Sequence, residues 1–218
     1  MNEVAQKVAE SLLQIKAIKL QPKNPFTWAS GWKSPIYCDN RVALSHPPIR
    51  TYIRQKLSEL IQEEFGAVEM ISGVATAGIP QGALVAQDLG LPFSYVRPSS
   101  KDHGRQNQIE GEVIGGQRVV VIEDLISTGK SSLNAVKALR EADCNVVGLV
   151  SIFTYGFAVA DENFAEAKCR TISLCDYNTL IEVAARHNYI LNSDIELLEA
   201  WRVDPANWSP DAEPTSAG

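Results

Sequence analysis

Apolar residues recur at helical spacing near the start of the chain. Val4, Val8, Leu12 and Ile15 fall on one face of the stretch 3–19, the period of an amphipathic helix. The next segment, 26–41 (FTWASGWKSPIYCDNR), breaks that period, and its glycines, proline and interspersed aromatics predict turns and short strands. Beyond Pro47 and Pro48, which the first turn of a helix tolerates, Tyr52, Ile53, Leu57, Leu60 and Ile61 mark a second helix. From residue 68 the pattern changes. Short apolar runs at 68–72, 92–96, 118–123, 146–153 and 171–174 alternate with helical stretches at 79–88, 130–141, 158–167 and 179–187. The unbroken VVVI at 119–122 reads as a parallel strand buried on both faces. Strands that alternate with helices predict an α/β fold, a mainly parallel sheet flanked by helices. The tail at 203–218 is rich in Pro, Asp and Ser and is expected to be disordered, with Trp208 the one residue able to dock.

Composition narrows the classes. A chain of 218 residues suits one sizeable domain with a real core. The net charge of -6 argues against general nucleic-acid binding, which needs a basic surface. No apolar run approaches the roughly 20 residues of a membrane span, and the opening MNEVAQKVAE lacks the basic and apolar regions of a secretory signal. A cytoplasmic protein without membrane contact is the expectation. The four cysteines, Cys38, Cys144, Cys169 and Cys175, form no metal-binding spacing with the three histidines, so reduced thiols and no protein metal cage are expected.

The chemistry concentrates at 119–132, VVVIEDLISTGKSS. A buried strand runs into Glu123 and Asp124, and a turn of Ser127, Thr128 and Gly129 opens the following helix. Ligands of parallel sheets bind beyond the carboxyl ends of the strands, where free amides and the helix dipole favour a phosphate. Ser127, Thr128 and Ser131 add hydroxyl donors, and Gly129 permits close backbone approach. Two acids beside a phosphate seat suit the hydroxyls of an attached sugar, which donate to carboxylates. Adjacent strand residues point to opposite faces, so one of the two acids can be structural. Two other readings stand beside this one. One is an N-capped helix whose acids only favour its terminus. The other is a nucleotide-triphosphate loop, whose ending Gly129-Lys130-Ser131 matches but whose first glycine falls on Asp124.

Two more segments join it. The polar stretch 97–112 carries Arg97, Lys101, His103 and Arg105, with Gly104 and Gly111 as hinges. A stretch this long is either a solvated loop or a functional lid. Cations on a mobile lid suit a reaction that expels a charged leaving group. The small-residue loop 72–80, with Thr76 and Ala77 at its centre and Gly78-Ile79-Pro80 at its end, is either a strand-to-helix turn or an anion seat made of backbone amides.

Together these motifs resemble the type I phosphoribosyltransferases, whose signature is an apolar run, an acidic pair and a small-residue loop. Arg97 followed by Lys101-Asp102-His103-Gly104 resembles the catalytic loop of the orotate-specific members. Ser30-Gly31, Ser34-Pro35, Tyr37 and Asp39 resemble the N-terminal pattern of the same members, which forms a hood over the base. The resemblance implies a mainly parallel central sheet flanked by helices with a small N-terminal hood. Residues 1–45 would supply the first helix and the hood, 46–202 the transferase core, and 203–218 the tail. It implies transfer of the 5-phosphoribosyl group from phosphoribosyl pyrophosphate (PRPP) to orotate in pyrimidine (UMP) biosynthesis. The implied PRPP-binding set is Thr76, Ala77, Arg97, Lys101, His103, Glu123, Asp124, Leu125, Ile126, Ser127, Thr128, Gly129, Lys130 and Ser131. Lys101, His103 and Asp124 would be catalytic; Ser127, Tyr37 and Tyr155 would meet orotate. Mg²⁺ would arrive largely with the substrate, and a homodimer would share the lid between subunits. The chain departs from the family at Ala29, Ala77 and Pro98, where relatives carry lysines, and at Tyr155, where some carry an arginine that meets orotate. A transferase for another base and a non-catalytic PRPP-binding regulator are the alternatives.

Overall fold

The computed structural model describes residues 2–28, 31–99 and 108–209. Asn2 caps the first helix, α1 (Glu3–Gln14), by accepting from the Val4 amide at 2.9 Å. The helix is shorter than its apolar spacing predicts. Lys16 takes a positive φ of 58°, which ends the helical run, and Ile18 and Leu20 turn into a strand instead. That strand, β1 (Ile18–Leu20), pairs antiparallel with β4 (Ile36–Cys38), while β2 (Phe26–Thr27) pairs with β3 (Lys33–Ser34). These four short strands form the hood. A 3-10 helix (Asn40–Ser45) and α2 (Pro47–Phe65) follow, and the two prolines sit in the first turn of α2 as expected.

The remaining elements alternate: β5 (Met70–Val74), α3 (Gly78–Leu89), β6 (Phe93–Val96), β7 (Ile109–Glu110), β8 (Arg118–Ile126), α4 (Lys130–Glu141), β9 (Asn145–Thr154), α5 (Ala158–Glu166), β10 (Thr171–Asp176), α6 (Tyr177–Arg186) and α7 (Ile195–Val203). The sheet order is β10-β9-β8-β5-β6-β7. All its pairings are parallel except that of the short edge strand β7 with β6. The longest apolar strands, β8 and β9, therefore lie inside the sheet, buried on both faces.

Alternation along β8 divides the core. Val120 and Ile122 face a cluster with α1, α2, α6 and α7; Val119 and Val121 face a second cluster with α4 and α5. Because α1 packs on α6 and β10, it belongs to the main body rather than to the hood. A further helix, α7, closes the core, with Leu198 and Trp201 fully buried, and in the tail Trp208 packs against the core with its Nε1 donating to the Leu197 carbonyl at 3.2 Å. Residues 210–218 lie outside the described residues.

Candidate active site

β8 is longer than its apolar run predicts. Pairing of Leu125 with Phe153 and Ile126 with Thr154 carries the strand past both acids, so Glu123 and Asp124 sit within regular sheet structure. Glu123 is 5% exposed and continues the face turned toward α4. One of its carboxyl oxygens accepts from the Ser132 hydroxyl at 3.0 Å, and the other from the Asp124 amide at 3.0 Å. Burial, and then the neighbouring Asp124 charge, push the Glu123 carboxyl up to about 9. Burial also raises Asp124, against the lowering effect of its bond with Glu123. Both acids are raised by burial, Glu123 the more strongly, so the unliganded pair shares a proton at neutral pH. The open question of which acid is structural is answered in part: Glu123 is locked to α4, while Asp124 is the more exposed of the two.

The turn after β8 is built as a cradle. Gly129 takes φ +78°, and a side-chain carbon added there would meet the Phe164 ring at 2.8 Å. Only glycine fits both the conformation and the space. The loop is pinned from α5, where Asn163 donates to the Thr128 carbonyl at 3.1 Å. The first amides of α4 have no partner inside the helix and open onto the same space. On the opposite side, Gly78 approaches β8 so closely that a side-chain carbon would lie 2.5 Å from the Ile122 carbonyl oxygen. This contact brings the 75–77 loop against the acids; its Ala75–Thr76 peptide is cis. Between the two loops lies a cavity of about 250 Å³, lined by Thr76, Ala77, Glu123, Asp124, Leu125 and residues 127–132 among others. Ile126 does not line this cavity: its side chain is 3% exposed and packs in the α4–α5 cluster, and its carbonyl accepts from the Tyr155 amide at 3.1 Å.

An adjoining cavity of about 390 Å³ shares Val74, Ala75, Lys130 and Ser131 with the first and is bordered by Arg97 and Pro98. Asn134 of α4 donates to the Pro98 carbonyl at 3.2 Å and so holds the start of the lid segment over α4. A buried Arg97 nitrogen, Nη1, has no hydrogen bond among the described residues, with Glu110 at 3.7 Å. Arg97 thus stands at the cleft with a donor to spare. Ala29, Ser30, Lys101, His103 and Arg105 lie outside the described residues.

The hood presents Tyr37 and hides Tyr155. Alternation along β4 buries Ile36 and leaves Tyr37 41% exposed, flanked by Phe26 at 5.7 Å between ring centroids and by the Lys19 ammonium at 6.0 Å. Tyr155 is 2% exposed. It is enclosed by Trp28, Phe153, Phe157, Tyr177 and Trp201 at centroid distances of 5.3 to 6.5 Å. Tyr155, expected from the resemblance to meet orotate, instead has its ring buried in an aromatic core under the hood. Three residues that the sequence did not single out shape the site. Asn40 donates to the Asp124 carbonyl at 2.8 Å; Asn163 pins the 127–129 turn; Trp201 donates from Nε1 to the Lys33 carbonyl at 3.1 Å and anchors the hood to α7. Asparagine after a tight polar run is the one local hint among them.

A parallel sheet with an acidic pair and a hydroxyl-rich loop at its carboxyl edge is the arrangement of a sugar-phosphate transferase. The phosphoribosyl transferase domain family matches residues 43–185, and the chain belongs to that family. An orotate phosphoribosyltransferase of Phocaeicola vulgatus is 56% identical over 208 residues, 95% of this chain and 98% of its relative. One of Listeria monocytogenes is 52% identical over 205 residues, 94% and 98% of the two chains. The crystal structure of orotate phosphoribosyltransferase from Aeropyrum pernix superposes with a TM-score of 0.72 at 30% identity, covering 80% of this chain and 96% of that one. Within the family, the chain therefore belongs to the orotate phosphoribosyltransferases.

Proposed function

We propose that the cleft between the loops 75–77 and 127–131 binds PRPP, that orotate stacks against Tyr37 under the hood, and that the products are orotidine 5′-phosphate and pyrophosphate. The observation that carries this reading is the seat at the end of β8, where two acids adjoin a loop of hydroxyls and free amides. The loop 127–131 takes the 5′-phosphate through backbone N–H groups and the hydroxyls of Ser127, Thr128 and Ser131. Asp124 accepts from the ribose hydroxyls, with Glu123 held behind it by Ser132. Thr76 and Ala77 bind pyrophosphate mainly through backbone, since Ala77 brings no charge. Ser127, at the mouth of the loop, also reaches orotate.

The bond from ribose C1 to the pyrophosphate oxygen breaks as a bond to a ring nitrogen of orotate forms. Positive charge gathers on the sugar and negative charge on the departing pyrophosphate. Arg97 lies beside that leaving group, and Lys101 and His103 approach it when the lid closes, lowering the barrier electrostatically and excluding water. Mg²⁺ fits this site as a substrate-borne ion. The carboxylate oxygens of Asp124 are hard donors, and no group of three or more metal-ligating side chains occurs among the described residues. When bound with PRPP, the ion neutralises charge on the pyrophosphate. The lid belongs to a homodimer in which each subunit covers its partner's cleft, and the enzyme works in the cytoplasm on small molecules. No helix of the described residues is long and apolar enough to cross a membrane.

The test mixes protein, Mg²⁺, PRPP and orotate and follows the loss of orotate absorbance, with uracil, hypoxanthine and adenine in parallel. Turnover of orotate alone is the expected result. Turnover of a purine and not of orotate would reassign the base, and no turnover with any of them would favour a PRPP-binding regulator.

A further inference from the structure

We propose that Asn40 is a positioning residue that sets the distance between the base-stacking hood and the ribose-holding end of β8. It stands where the hood strand β4 passes into the 3-10 helix, three residues after Tyr37 and 84 residues from Asp124. Its side chain is a bridge with both ends occupied. Nδ2 donates to the Asp124 carbonyl at 2.8 Å, and Oδ1 accepts from the Cys38 thiol at 3.3 Å. The residue is 2% exposed, so water cannot replace either bond cheaply. The carbonyl it holds belongs to the residue read here as the partner of the ribose, and the inference rests on that reading. Tyr37 and Cys38 are adjacent on β4 and point to opposite sides. The thiol therefore faces Asn40 while the Tyr37 ring faces out toward the base. One amide thus fixes the strand that carries the ring to the strand that carries the carboxylate, at the point where the base nitrogen must reach C1.

The charged and titratable groups around the bridge are the Cys38 and Cys175 thiols, the Asp39–Arg41 ion pair at 2.6 Å, Glu123, Asp124 and Tyr155. Burial, and then the Asp124 charge, raise the Cys38 thiol well above its usual range, so it stays protonated and keeps donating to Asn40. That leaves the Asn40 amide group turned toward Asp124.

The experiment compares Asn40→Ala, Asn40→Asp and Asp124→Asn with the wild-type chain in steady-state kinetics, with thermal melts as the folding control. Asn40→Ala is expected to lower kcat roughly tenfold to a hundredfold, the cost of a slight misplacement of reacting groups. The KM for PRPP should change by less than about threefold, since the phosphate loop is intact. In Asn40→Asp the carboxylate cannot donate to the Asp124 carbonyl, but its protonated form can. The ratio of its kcat to that of wild type should therefore rise as pH falls, a change that a purely structural lesion would not produce. Wild-type kcat in folded Asn40→Ala, or a loss confined to the PRPP KM, overturns the proposal. If Asn40→Ala does not fold, a flat kcat ratio for Asn40→Asp across pH overturns it instead. Wild-type turnover in Asp124→Asn would remove the ribose reading itself, whereas an inactive Asp124→Asn beside a fully active Asn40→Ala removes only the role of Asn40.

Discussion

Replacing Glu123 with glutamine should change how the stability of the unliganded protein depends on pH. In the folded chain the Glu123 carboxyl titrates near 9, against an ordinary value of 4.5. Between those limits the folded state holds a proton that the unfolded state has already released. Stability therefore falls as pH rises, because the unfolded state binds fewer protons. For a single group the slope is about 1.4 kcal/mol per pH unit, so roughly 2 to 3 kcal/mol is lost between about pH 6 and about pH 8. Glutamine mimics the protonated acid. Its oxygen accepts from the Asp124 amide, and its nitrogen meets the Ser132 hydroxyl, which then accepts instead of donating, at any pH. It also removes a titrating neighbour from Asp124, so that the aspartate ionises more easily. The assay is urea unfolding followed by tryptophan fluorescence at several pH values, without ligand, for wild type and Glu123→Gln. The variant should lose most of the downward slope and gain on wild type as pH rises, with unchanged m-values. Parallel stability curves for the two proteins would refute the protonated pair.

Gly129→Ala should cut kcat/KM for PRPP at least about tenfold, because alanine resists the left-handed conformation and its methyl meets the Phe164 ring at 2.8 Å; an unchanged value would mean that the 127–129 turn does not form the phosphate seat. Trp201→Ala should cost about 3 to 5 kcal/mol in urea unfolding and raise the orotate KM more than the PRPP KM, since the lost indole held the hood through the Lys33 carbonyl. Equal effects on both substrates would detach α7 from base binding. Lys101→Ala should lower kcat far more than PRPP affinity measured by calorimetry, and unaltered turnover would remove Lys101 from the chemistry.

The parallel core was legible because its signal is physical and local. A strand such as VVVI at 119–122 can only be buried on both faces, and the helices between such strands must cover them. What sequence reading missed were boundaries decided by partners. β8 runs to Ile126 because β9 offers partners as far as Thr154, and nothing in the local sequence EDLI announces that. α1 stops at Gln14 although the apolar spacing continues to Ile15. Lys16 turns left-handed, and the next residues gain more by pairing with Ile36–Cys38 than by another helical turn. α7 escaped notice because its two buried anchors, Leu198 and Trp201, lie among charged residues and give no clear helical stripe.

The site divides along the same line. Its phosphate half was legible because one contiguous stretch supplies strand, acids, hydroxyls and glycine, so spacing alone carries the chemistry. Its base half is assembled across the chain, and there single positions misled. Tyr155 stands where some relatives place an arginine, but a tyrosine amid Trp28, Phe157 and Trp201 gains more from burial and ring contacts than from facing a polar substrate. Tyr155 therefore belongs to the core and not to the cleft. The hood that depends on this aromatic cluster is in turn fastened to β8 by Asn40, a residue with no signature of its own because its value lies in a carbonyl 84 residues away. On the proposed reading, recognition of the phosphate is written in sequence neighbours, whereas recognition of the base is written in packing. It follows that substitutions in the aromatic cluster should alter base affinity while leaving the sugar-phosphate seat intact.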